Sequence, residues 1–95
     1  MSQQASPALP PAKGTVVDFT TLVLSLQQGA FVMMGLKSEE GISTDMRGAR
    51  VQIDLLAMLQ EKTQDNLSDD EEKLLRSVLF ELRTAWVEQN NKAKQ

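Results

Sequence analysis

The side chains best placed to do chemistry are the acids at one corner of the chain, "TQDNLSDDEE", where Asp65, Asp69, Asp70, Glu71 and Glu72 fall close together. Such a cluster suggests three things: a calcium loop, the turn of a DNA-reading helix pair, or the start of a helix. An EF-hand loop opening at Asp65 would put Leu67 at its third position, Asp70 where the turn needs glycine, and Arg76 where the bidentate glutamate belongs. The calcium register fails. A DNA-reading helix presents basic and amide groups at its N-terminal end, whereas this one would begin "SDDEE" and meet phosphate with like charge. Capping fits instead. Ser68 followed three places on by Glu71 is a capping box, and acids in a first turn are favoured by the helix dipole.

Elsewhere the chain is poor in reactive groups. It has no histidine, cysteine or tyrosine, so the commonest general base, the strongest nucleophile and the phenolic acid are all missing. Zinc clusters and disulfides are excluded for the same reason. Asp54, between Ile53 and Leu55, is the nearest candidate for a carboxylate catalyst, and its expected role is an interhelix ion pair. We expect no enzyme, no cofactor and no metal site. A net charge of −3, with Lys13, Lys92 and Lys94 out in the tails, disfavours nucleic acid.

The elements that must position these residues are helical. Residues 1–17, with three prolines and no apolar period, read as a flexible arm without the pattern of a signal peptide. Residues 18–90 read as one helical domain and 91–95 as a polar tail. The first helix begins at an Asp18 cap and stops at Gly35. It carries a polar stripe of Thr21, Ser25 and Gln28 opposite Phe19, Leu22, Val23, Leu26, Ala30 and Met33, while "TVVDFTT" also suits a short strand. Because residues 19–36 are uncharged, anchorage of this helix in a membrane is the alternative to burial in a soluble bundle. "KSEEGIS" is a polar connector. The second helix runs from Thr44 or Asp45 to Lys62 with two apolar rows: Met46, Ala49, Ile53, Leu56 and Ala57, then Val51, Leu55, Met58 and Leu59. The third buries Leu74, Leu75, Val78, Leu79, Leu82, Ala85 and Trp86 on one face, with Glu72 and Arg76 spaced for an i,i+4 pair.

Two antiparallel helices that rise equally per residue bring residues of constant summed number side by side. A turn near Asp65 and Asn66 then sets Leu56 against Leu75, Ile53 against Val78 and Ala49 against Leu82. Arg50 falls level with Glu81, a candidate ion pair. The fold class is all-α: a small three-helix bundle, helix 1 plus an antiparallel αα-hairpin, completed by oligomerisation.

"DLLAMLQEKT", "NLS" before "EEKLL", "LFELR" and "WV", with "DF" at Asp18 and "GL" at Gly35, resemble the bacterial family of domain of unknown function 1844 (DUF1844). The resemblance covers nearly everything from Asp18 to Val87. It departs where Phe80 and Trp86 replace expected tyrosines, where Asp65 replaces an expected glycine, and in a short loop between the first two helices. It implies a small helical protein of the bacterial cytoplasm and supplies no activity, substrate or catalytic residue. The residues suggest a protein-protein interaction module that self-associates, a homodimer by default, or that takes another protein as partner. The expected interface is Phe31, Met34, Leu55, Met58, Leu59, Phe80 and Val87.

Overall fold

The computed structural model describes residues 8–10, 13–14, 17–36 and 44–93. Three helices follow one another: α1 (Phe19–Met33), α2 (Met46–Lys62) and α3 (Asp69–Ala93). Most of the residues read as a flexible arm, and the whole of "KSEEGIS", lie outside the described ones.

Each helix starts on the cap its sequence supplies. Asp18 takes the Thr21 N–H on its carboxylate at 2.8 Å, and Asp45 takes the Gly48 N–H at 2.8 Å. The capping box of α3 is reciprocal: the Ser68 N–H donates to Glu71 Oε1 at 2.9 Å and the Glu71 N–H to Ser68 Oγ at 3.2 Å. Caps of this kind give partners to first-turn N–H groups that the helix itself leaves unpaired. From Asp18 onward, "TVVDFTT" is therefore a cap and a first helical turn, and no strand forms among the described residues. Helix α1 closes with paired backbone bonds, Leu36 N–H to the Phe31 carbonyl and Gly35 N–H to the Val32 carbonyl, both at 3.0 Å. Gly35 has φ +81°, the left-handed value this ending requires and glycine adopts freely.

The hairpin register expected from the sequence holds. Ala49, Ile53 and Leu56 of α2 and Leu75, Val78 and Leu82 of α3 are all buried in one cluster. Trp86, one step further along that register, donates its indole N–H to the Met46 carbonyl at 2.8 Å. Val23 and Ala30 of α1 and Leu79 of α3 complete the cluster, with Phe19, Leu26, Met46, Leu74 and Ala85 packed around it. Full burial of each leucine or isoleucine here is worth about 1.5–3 kcal/mol. Close approaches of Gly29 to Gln52 and of Gly48 to Met33 show α1 running antiparallel to α2. The chain thus goes up, down and up again.

Helix α3 outruns its expected end. It continues to Ala93, through most of the segment read as a tail, with no glycine or proline after Trp86 to stop it. At the other end, Asp65 holds φ +64°, the one non-glycine residue with a left-handed backbone among the described ones. A glycine would meet no Cβ penalty there.

Helix α1 has 15 residues, about 22 Å of rise against the roughly 30 Å of a bilayer core. Among the described residues no helix is long and apolar enough to cross a membrane. The anchoring alternative for residues 19–36 is not favoured.

Candidate functional site

With α1 covering one side of the hairpin, the outer surface of α3 and the adjoining edge of α2 are left open. Phe80 is 73 % exposed and Val87 53 %. Both line a groove of about 630 Å³ whose walls include Arg76, Arg83, Thr84 and Glu88 from α3 and Gln60 from α2. A second hollow of about 310 Å³ adjoins it, formed by Arg50, Ile53 and Asp54 of α2 facing Arg83, Trp86 and Val87 of α3. A second exposed apolar row, Val51, Leu55 and Met58, runs along α2.

The structure divides the interface residues expected from the sequence into two groups. Leu55, Met58, Phe80 and Val87 are exposed. Met34 is not: it is 2 % exposed and belongs to the core. Met34 follows the buried Ala30 by four residues and so falls on the same inward face, and the Asp45 N–H bonds the neighbouring Met33 carbonyl at 2.7 Å. Phe31 and Leu59 are only half-open, packed against the core from within the bundle. The sequence reading named Arg76 only as a partner for Glu72 and did not single out Thr84 or Glu88. Their four-residue interval with Phe80 was the available signal.

The expected Arg50–Glu81 ion pair is also corrected. Arg50 pairs within its own helix, Nε to Asp54 Oδ1 at 3.4 Å, and its guanidinium lies 5.4 Å from the centre of the Trp86 ring. Glu81 turns the other way and accepts from Gln27 Nε2 of α1 at 3.0 Å. Constant summed numbers fix height along a hairpin and leave azimuth open: Arg50 faces outward beside Trp86, and Glu81 faces α1. Asp54 accordingly pairs within α2 rather than between helices. With side chains 57 % and 63 % exposed, the Arg50–Asp54 pair stabilises by about 0.5 kcal/mol at most. The spacing of Glu72 and Arg76 yields no salt bridge.

Electrostatically, the acids of the corner serve the α3 terminus, and among the described residues no three carboxylates are grouped to hold a metal ion. Asp18 is held below the ordinary carboxylate range, first by the Thr21 backbone N–H and then by the Thr21 hydroxyl. The open side of α3 thus combines exposed apolar Phe80 and Val87 with charged Arg76, Arg83 and Glu88.

A family model described as "Domain of unknown function (DUF1844)" matches residues 16–88. No curated protein and no solved structure matches the chain.

Proposed function

This chain belongs to the DUF1844 family, and we propose that it is a non-catalytic interaction module of the bacterial cytoplasm that works by self-association. The observation carrying this reading is the exposure of Phe80 and Val87 on one side of α3, at the centre of the groove. Large exposed apolar groups gathered in one patch are expensive to leave in water and commonly mark interfaces. The missing histidine, cysteine and tyrosine, together with an exposed and paired Asp54, support a role without catalysis.

Light scattering after size exclusion, without detergent and over a roughly hundredfold dilution, tests the reading. The expected mass at the concentrated end is twice the chain's 10.5 kDa, with Phe80→Glu lowering it. A single-chain mass at every concentration refutes self-association. Cell fractionation supplies the localisation test, and recovery only with detergent-solubilised membranes counts against the cytoplasm.

A further inference from the structure

Along the open side of α3, Arg76, Phe80, Thr84 and Glu88 follow one another at intervals of four, and all four line the groove. Residues four apart form one ridge of a helix surface. This ridge has a cation at one end, an anion at the other, and a ring and a small side chain between. The charged residues are twelve positions apart, about 18 Å along the axis. Among the described residues neither Arg76 nor Glu88 has an ion pair within the chain. The Thr84 hydroxyl is occupied at home, donating to the Phe80 carbonyl at 2.8 Å, so its methyl is left as the outward group.

Turned end for end and laid on itself, the ridge matches. Arg76 meets Glu88 of the second copy, Phe80 meets the Thr84 methyl, and Val87 widens the apolar centre. A parallel arrangement would stack Arg76 on Arg76 and Glu88 on Glu88. Only the antiparallel one satisfies the requirement of a two-fold interface that one patch complement itself.

We propose that two copies of this chain associate through α3, antiparallel, about a two-fold axis between Phe80 and Thr84, with reciprocal Arg76–Glu88 pairs at the two ends. The proposal rests on the self-association reading and specifies its surface. One helix crossing another over about 18 Å lies toward the small end of interface sizes, so this dimer dissociates on dilution.

The test is the dimer dissociation constant, from light scattering of the full chain, for wild type, Arg76→Glu, Glu88→Arg and the double variant, each checked for helix content by circular dichroism. Either single change turns two attractive pairs into two repulsive ones, and the constant should rise by about tenfold or more at low salt. The double variant restores both pairs and should return close to wild type. If it stays as weak as the singles, or if a wild-type dimer ignores all three changes, the α3 interface is wrong while self-association stands. A wild-type monomer at every concentration overturns both.

Discussion

Gly48→Ala sets two local effects of similar size against each other. Inside a helix alanine is ordinarily about 1 kcal/mol better than glycine, so the substitution looks stabilising. But Gly48 is the third residue of α2, and its N–H is the one Asp45 caps. A Cβ built on Gly48 runs into the Asp45 carboxylate, with Cγ at 2.8 Å, and lies 3.1 Å from the Met33 sulfur. To make room the carboxylate must swing off the N–H, which costs about 1 kcal/mol and cancels the propensity gain. Displacing Met33 from the core edge then decides the sign. The expected result is a net loss of about 0.5–1 kcal/mol. In urea unfolding, followed by the fluorescence of the single tryptophan, that is a midpoint lower by roughly 0.5–1 M at fixed protein concentration. The decisive control is Asp45→Ala. With the cap gone the carboxylate clash disappears and the Met33 contact remains, so Gly48→Ala should be neutral to stabilising by about 0.5 kcal/mol, and the two changes are coupled by about 1 kcal/mol. An equal rise of midpoint in both backgrounds refutes the reasoning.

Asp65→Gly removes the left-handed strain at the hairpin corner and should add about 0.5–1 kcal/mol, seen as a thermal midpoint several degrees higher; a fall would mean the Asp65 side chain contributes more than its backbone costs. Trp86→Phe loses the bond to the Met46 carbonyl and much of the Arg50 contact, and should cost about 1 kcal/mol or more by thermal circular dichroism, with no change marking both as incidental. The lowered pKa of Asp18 fixes a sign with pH: its contribution is complete above the unfolded value of 3.8 and disappears as pH falls through the lower folded value. Asp18→Ala should therefore flatten the acid side of the stability profile, and an unchanged slope across that range contradicts the assignment.

Where the structure follows from local rules, the sequence was readable. Ser68 and Glu71 announce a capping box that needs no knowledge of the fold, and the period of Leu75, Val78, Leu79 and Leu82 names a buried face directly. Asp18 is a similar case. What escaped depended on direction around a helix or on contacts from elsewhere. Arg50 and Glu81 share a height and not a side, and Met34, just past the helix end, continues the buried row of Val23 and Ala30 that was read instead through Met33. The polar end of α3 has no apolar pattern, although the absence of glycine and proline after Trp86 left nothing to stop the helix. Of the candidate face, Phe80 and Val87 were visible as residues off the main apolar row. Their charged neighbours on the ridge gain meaning only once the open side of α3 is known.

The backbone bond from the Asp45 N–H to the Met33 carbonyl, at 2.7 Å, joins the end of α1 to the start of α2 across the chain between them. That bond makes the length of the intervening chain nearly free to drift. Once the two ends are fastened, doubling the span between them costs only about 0.6 kcal/mol in closure entropy. A chain with a longer segment between residues 36 and 44 should therefore keep the same core at little thermodynamic cost.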